Sequence, residues 1–112
     1  MKRSPMRRAK SQKVLDYEAE LDALTPALLA RAGMACELRI PGVCLGAGGK
    51  LSRSHRKSRG QGGENTMENV MIACGDGVTG CHGHIESHRT EAYEKGWLVK
   101  SYDDPALIEV KR

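Results

Sequence analysis

Four cysteines in two local pairs limit the folds that this chain can adopt. Seven residues separate Cys36 from Cys44, six separate Cys74 from Cys81, and 29 lie between the pairs. Glycine or proline in both short intervals allows the chain to turn back and present two thiolates together. With 112 residues, 39% of them hydrophobic and none of them phenylalanine, the chain has only a modest core. A domain of this kind needs a cross-link, and the cysteines can supply one.

Three states of the four cysteines fit this spacing. One is a structural Zn²⁺ held by all four thiolates, and the alternatives are two disulfides or free buried thiols. No apolar run follows the basic residues 2–13, so we expect no signal peptide, and no segment is apolar enough to span a membrane. A cytoplasmic protein is therefore predicted. Because reducing compartments disfavour disulfides, the Zn²⁺ site is the preferred interpretation.

Basic residues are concentrated in two blocks that contain no acidic residue. Residues 1–13 hold six Lys or Arg and residues 50–59 hold five, which together make eleven of the eighteen in the chain. We expect residues 1–13 to form a disordered basic arm. A basic block alone is typical of a solvated face or tail, but two blocks and a net charge of +4 favour a polyanionic partner.

The hydrophobic pattern predicts an α+β domain with an N-terminal helical segment over residues 14–35. Residues 14–24 fit a short helix or an extended linker. A second helix is expected to begin at Thr25 and Pro26, as N-cap and first helical residue, and to end at Gly33.

Residues 36–112 are predicted to form the zinc-containing domain. Short strands are expected at 38–40, 51–56, 69–73, 97–99 and 107–110, with a turn at 41–42 and a helix at 82–95. A long polar connection, residues 57–68, joins the two strands of the central hairpin.

A histidine and an asparagine lie at the two ends of that polar connection. His55 lies near the end of the first predicted strand, within the second basic block, and Asn69 begins the second strand. A neutral imidazole can take a proton from water because it titrates near neutral pH. Taken singly, His55 is typical of a surface histidine and Asn69 of a loop cap.

The predicted third helix carries a candidate pair of metal ligands. His82 directly follows Cys81, and Glu86 lies four residues further on, so both side chains share one helix face. An imidazole and a carboxylate at this spacing can hold one divalent ion. His84 and His88 lie off that face and are expected to be exposed or to contact DNA.

Together these motifs resemble the HNH endonuclease family, in particular the small HNH proteins of bacteriophages and prophages. The segments that carry the resemblance are 36–44, 54–63, 69–74 and 80–88, with 92–93 and 96–99 similar to the usual tail. The resemblance implies a ββα-metal fold, also called a His-Me finger, in which a hairpin and a helix surround one catalytic metal. The four-cysteine Zn²⁺ site would be its scaffold.

The family pattern also implies residue roles. His55 would be the general base, Asn69 would orient it and stabilise the loop, and His82 would be a metal ligand. Glu86 matches the second helix ligand, which is more often His, and Ser54 stands where the family usually has an Asp or His ligand. The catalytic ion would be Mg²⁺, Mn²⁺, Ni²⁺ or Zn²⁺.

The expected activity is metal-dependent hydrolysis of DNA phosphodiester bonds, by nicking or by double-strand cutting, in the cytoplasm of a bacterial host. Four basic residues are predicted to contact DNA phosphates: Arg53, Arg56, Lys57 and Arg59.

Three other functions compete with this interpretation. A catalytically silent, zinc-stapled DNA-binding module of a phage packaging or recombination complex would show the same basic blocks, and Ser54 would then mark a decayed site. An RNA-binding or protein-binding zinc adaptor is disfavoured because aromatic residues make up only 4% of the chain. A cysteine-nucleophile hydrolase is disfavoured because a zinc site would use all four thiolates.

Overall fold

The computed structural model describes residues 10–46 and 49–111. This part of the chain forms an α+β domain with a two-stranded antiparallel sheet, as the sequence predicts. The elements are α1 (Gln12–Ala32), β1 (Leu51–His55), β2 (Val70–Cys74), α2 (Gly80–Ser87) and α3 (Arg89–Glu94), with 3₁₀ turns at Arg59–Gln61 and Pro105–Leu107. Most of the predicted basic arm, residues 1–9, lies outside the described residues, and residues 12–13 belong to α1.

Helix α1 is continuous over 21 residues, so the predicted helix start at Thr25 is wrong. Ser11 is the N-cap and accepts a hydrogen bond from the backbone N–H of Val14. Pro26 lies inside the helix, where it removes one backbone hydrogen bond, and the Thr25 hydroxyl donates to the carbonyl of Leu21 at 2.7 Å. The helix continues through Pro26 because residues before and after the proline pack against the sheet.

The predicted C-terminal stop of α1 is confirmed. Gly33 adopts a left-handed conformation, with φ of 68°, and its N–H donates to the carbonyl of Ala30. The N–H of Met34 donates to the carbonyl of Leu29 at 2.9 Å. These two bonds form a Schellman motif, which satisfies carbonyls at the end of the helix.

The hairpin of β1 and β2 runs in the register Leu51↔Cys74 to His55↔Val70. Val70 and Ile72 pack with Leu21 and Leu28 of α1, whereas Met71 and Ala73 pack on the opposite face with Ile85 of α2 and the cysteines. Because side chains alternate along a strand, residues 53 and 55 of β1 lie on the α1 face. Residues 52 and 54 lie on the α2 face.

Three predicted strands are absent from the described residues, at 38–40, 97–99 and 107–110. Near the first of these segments, a single residue pairs with the sheet: the N–H of Glu37 donates to the carbonyl of Ile72 at 2.9 Å. The amides of Trp97 and Leu98 donate to the carbonyl of Ala92, so they end α3 instead of starting a strand.

The helix predicted over residues 82–95 is divided into α2 and α3 at His88, which has non-helical φ and ψ of −128° and 59°. Its predicted stop, Gly96, is confirmed by a left-handed φ of 76°. No helix among the described residues is both long enough and apolar enough to cross a membrane.

Candidate functional site

The four cysteines come together at one point. Their Sγ atoms all lie within 4.8 Å of one another, and three of the four side chains are buried. The sulfurs of Cys44 and Cys74 are 3.8 Å apart, whereas a disulfide needs about 2.05 Å. Zn–S bonds of about 2.3 Å in a tetrahedron place two sulfurs roughly 3.8 Å apart. The cluster can therefore hold a metal ion.

Backbone amides point at these sulfurs. Cys74 Sγ accepts from the N–H groups of Leu45 and Cys81, both at 3.3 Å, and Cys81 Sγ accepts from the N–H of Ile40 at 3.4 Å. Burial would raise the pKa of Cys74, but the hydrogen bonds to its sulfur outweigh burial and lower this pKa to about 7. Burial raises the pKa of Cys81. A bound cation would displace the remaining protons.

Tight turns bring the cysteine pairs together. The predicted turn at 41–42 is confirmed, and the amides of Val43 and Cys44 both donate to the carbonyl of Ile40. Between Cys74 and Cys81 the chain doubles back at Gly75, with φ of 82°, where a Cβ atom would lie 2.0 Å from a backbone oxygen. Only glycine fits this position.

His55 is the last residue of β1 and lies on the α1 face of the sheet. Its ring stacks on Tyr17 of α1, with centroids 5.8 Å apart. Its Nε2 lies 2.8 Å from Oδ1 of Asn65, and the Asn65 amide donates to the backbone carbonyl of Tyr17 at 2.7 Å. The imidazole is thus held between α1 and the connection that follows β1.

Asn69 is almost fully buried and holds that connection closed. Its Oδ1 accepts from the N–H of Lys57 at 2.8 Å, and its Nδ2 donates to the carbonyls of Lys57 and Glu64, both at 2.9 Å. These contacts suit the loop-stabilising role predicted for Asn69. The amide beside the His55 ring belongs to Asn65, so the structure does not place Asn69 as the residue that orients the imidazole.

His82 lies in the first turn of α2, on the opposite face of the sheet from His55. Its Nδ1 is 2.7 Å from Oγ of Ser52, and that hydroxyl donates to the carbonyl of Ala73 at 3.2 Å. With the single Ser52 proton on the Ala73 carbonyl, Nδ1–H of His82 donates to Ser52 and Nε2 keeps its lone pair. Burial lowers the pKa of His82 and Glu86 opposes this shift. The neutral ring has the form that a metal ligand needs.

The other two predicted ligands, Ser54 and Glu86, differ in their exposure to solvent. Ser54 is buried on the same face of β1, and Glu86 is exposed and pairs with Arg89 at 3.2 Å. In residues 10–46 and 49–111, only the four cysteines gather three or more His, Cys, Asp or Glu ligand atoms at one point. The structure does not bring His55 and His82 onto one face.

Of the four residues predicted to contact DNA, Arg56 is placed differently from expectation. Its side chain is 3% exposed. Its guanidinium donates to four backbone carbonyls, those of Glu68, Gly96, Pro105 and Ile108. Arg56 therefore joins the hairpin to the C-terminal segment and is not available to a phosphate.

The remaining three predicted DNA contacts stay at or near the surface. Arg53 pairs with Asp22 at 2.6 Å, Arg59 lies over the Tyr17 ring at 5.5 Å, and Lys57 is half-buried. These cations border the α1 face of the hairpin, which carries His55.

Sequence reasoning missed three residues that contact the predicted histidines: Tyr17, Ser52 and Asn65. Ser52 had a usable signal, because it lies two residues before Ser54 and hence on the same face of β1. Tyr17 is the only aromatic residue before Tyr93, which marks it as a packing residue. No local pattern points to Asn65.

No protein-family model matches the chain, and no curated protein or solved structure matches it either. The resemblance to HNH endonucleases therefore stays an interpretation of the chain's own motifs. What the structure establishes is an α+β domain in which four cysteines can hold a metal ion.

Proposed function

We propose that this chain is a metal-dependent DNA endonuclease of the HNH type with a ββα-metal core. One observation carries the proposal: β1, β2 and α2 follow one another as a hairpin and a helix, with His55 at the last residue of β1 and His82 in the first turn of α2. The cysteine cluster joins the end of β2 to the start of α2. The order of these elements along the chain supports the proposal.

In this proposal His55 acts as the general base that takes a proton from the attacking water. Asn69 keeps the connection after β1 in place through its bonds to Lys57 and Glu64. His82 Nε2 and the Glu86 carboxylate are the protein donors for a divalent ion, a set that suits Mg²⁺, Mn²⁺, Ni²⁺ or Zn²⁺ with water completing the coordination. Such an ion, when bound, stabilises negative charge on the phosphate and on the leaving 3′-oxygen.

Arg53, Lys57 and Arg59 are proposed to contact DNA phosphates. Three neutralised phosphates give a slope of roughly −3 in a log–log plot of binding constant against salt. The basic residues between positions 2 and 13 would make the slope steeper. A flat salt response in a fluorescence-anisotropy titration with duplex DNA would exclude DNA as the partner.

Supercoiled plasmid provides the direct test. The Zn²⁺-loaded protein should nick or linearise plasmid with Mg²⁺, Mn²⁺ or Ni²⁺ and not with EDTA. His55→Ala and His82→Ala should each lower the cleavage rate by roughly 10²–10⁴-fold. Both variants should keep one Zn²⁺ per chain and remain folded at the assay temperature. Undiminished cleavage by His55→Ala would remove His55 from the role of base.

The second candidate is a catalytically silent, zinc-stapled DNA-binding module. It is favoured by two observations: the strand-ligand position is occupied by a buried serine, Ser54, and His55 and His82 lie on opposite faces of the sheet. This candidate predicts salt-dependent DNA binding and full Zn²⁺ content, but no cleavage with any divalent ion.

A further inference from the structure

Helix α1 is built into the surroundings of His55 by several contacts. The Tyr17 ring stacks on the imidazole, and the Tyr17 carbonyl accepts a hydrogen bond from the Asn65 amide. The Tyr17 hydroxyl donates to the carbonyl of Gly63 at 3.1 Å, and the Arg59 guanidinium lies over the Tyr17 ring, 5.5 Å from its centroid. Residues 59–65 and helix α1 thus pack together around the His55 imidazole.

The hydrogen bonds determine which nitrogen of His55 carries the proton. The Asn65 NH₂ group donates to the Tyr17 carbonyl, so its Oδ1 is the atom that faces His55. An amide oxygen can only accept a hydrogen bond. His55 Nε2 must therefore carry the proton in the neutral ring, and Nδ1 is left with the lone pair.

We propose that Asn65 and Tyr17 are positioning residues that hold His55 in its Nε2–H tautomer, which makes helix α1 an essential part of the reactive site. The proposal rests on the proposed function of His55 as a base. A base must present its lone pair in a fixed direction to act on water. Asn65 fixes the tautomer, and the stacked Tyr17 ring limits rotation of the imidazole.

Asn65→Ala removes the acceptor for Nε2–H and the bond to α1. The cleavage rate constant should fall by roughly 10–100-fold, while the affinity for duplex DNA changes by less than about 2-fold because no phosphate contact is lost. Tyr17→Ala should have a similar effect through loss of the stacked ring. Tyr17→Phe keeps the ring and the backbone carbonyl, so it should restore most of the rate.

Nitrogen-15 NMR of protein labelled in the histidine rings, loaded with Zn²⁺, reads the tautomer without any cleavage assay. His55→Gln assigns the His55 signals by their loss. At a pH where the ring is neutral, the parent should show a protonated Nε2 and an unprotonated Nδ1. In Asn65→Ala the chemical shifts of both ring nitrogens should move toward the average of the two tautomers. Gln12→Ala is the control, because Gln12 is an exposed amide residue of α1 that donates to Asp16. In this control the two shifts should not move.

The Asn65→Asp variant distinguishes a role of Asn65 in positioning the His55 ring from a general role in stabilising the fold. A carboxylate still accepts from Nε2–H, so the tautomer should persist, but its charge stabilises the imidazolium. The acid limb of the pH–rate profile should therefore move to higher pH. An unchanged tautomer in Asn65→Ala, or an unchanged rate in that variant, would overturn the proposal.

The cleavage assay tests the proposed function, and the NMR experiment tests the positioning role separately. If the parent protein cuts no plasmid, the proposed function fails, and the tautomer shift in Asn65→Ala still decides whether α1 and Asn65 hold the imidazole. If the parent cuts plasmid and Asn65→Ala cuts equally well, the nuclease stands and the positioning role is refuted.

Discussion

Arg56, Glu37 and Asn69 are buried polar residues that complete backbone hydrogen bonding where regular structure ends. Glu37 satisfies a backbone group on the edge of β2 that does not face β1. Its carboxylate accepts a hydrogen bond from the N–H of Ile72 at 2.7 Å. Arg31 binds the same carboxylate through two nitrogens, at 2.7 and 2.8 Å. Buried backbone groups need partners, and in this short sheet side chains supply them.

Replacing Arg56 by methionine should be strongly destabilising. Arg56→Met keeps much of the side-chain volume but leaves four carbonyl acceptors without their donor. We expect the free energy of unfolding to fall by roughly 3–5 kcal/mol, measured by urea denaturation of the Zn²⁺-loaded protein. Arg59→Met is the matched control, because Arg59 is exposed and its loss should cost about 0.5 kcal/mol or less. Equal stability of the two variants would contradict the structural role of Arg56.

Asn69→Ala should loosen the connection between the strands. It removes the partners of three backbone groups in Lys57 and Glu64, and we expect a loss of roughly 2–4 kcal/mol in the free energy of unfolding. Hydrogen exchange should accelerate over residues 57–64 more than in α1. Uniform acceleration across the domain would show that Asn69 supports the fold as a whole and not this segment.

At the scale of elements, α1 is the clearest case in which packing overrides a local signal. Thr25 and Pro26 form a good helix start by composition, yet Leu21 before them and Leu28 after them are both buried on the same face of the sheet. A break at the proline would move one of these side chains away from the core. The helix stays whole and accepts the loss of a hydrogen bond at Pro26.

Pro26→Ala should stabilise the protein. The exposed proline costs roughly 3 kcal/mol in a helix interior relative to alanine, and part of this cost returns when the backbone N–H is restored. We expect a gain of roughly 1–3 kcal/mol in the free energy of unfolding, with higher helical ellipticity. Pro41→Ala is the control: this proline lies in a turn outside the helices, where alanine should lower stability by about 0.4–1 kcal/mol. A loss of stability in Pro26→Ala would mean that the proline fits the helix without strain.

At the scale of the whole molecule, two small apolar clusters lie on the two faces of a two-stranded sheet. One contains Leu21, Leu28, Val70 and Ile72, and the other includes all four cysteines among its members or close neighbours. A two-stranded sheet is marginal by itself. A metal ion in the cysteine cluster would tie the loop after α1, the end of β2 and the start of α2 to one point.

Metal removal should therefore unfold the domain. A structural Zn²⁺ site contributes roughly 10 kcal/mol or more of apparent folding free energy, and Cys74→Ser should abolish most of it. We expect one Zn²⁺ per chain by elemental analysis and collapse of the amide NMR dispersion when a strong chelator is added. Met34→Ser, at an exposed sulfur-containing side chain, is the control and should keep its metal. A chelated protein that stays folded would show that the apolar clusters suffice.

Acidification should release the metal. The pKa of Cys74 is lowered to about 7 from 9.0 in the fold, so stability from its thiolate is complete above about pH 9 and is lost as the pH falls through about 7. Bound Zn²⁺ extends the thiolate range downward, because protons must compete with the ion. Zn²⁺ affinity measured with a chromogenic chelator should decrease steadily below pH 7. A constant affinity from pH 8 to pH 5 would argue against thiolate ligands.

Local patterns determined much of this fold in advance. Cysteine spacing with intervening glycine and proline predicted the cluster, the polar connection between apolar runs predicted the hairpin, and Gly33 and Gly96 predicted two helix ends. The glycine stops and the turns within each cysteine pair lie within a few residues of the features that they predict. Chain stiffness and turn geometry act over that range, and a sequence displays them directly.

Tertiary structure alone decided the rest. Asn65 bonds to Tyr17, 48 residues away in the sequence, and Arg56 bonds to Ile108, 52 residues away. No local sequence pattern predicts either contact. The packing of α1 and α2 on opposite faces of the hairpin then leaves His55 and His82 on opposite faces of the sheet. Such pairings depend on which elements pack together, because packing chooses the partner of a buried polar group and the sequence around that group does not.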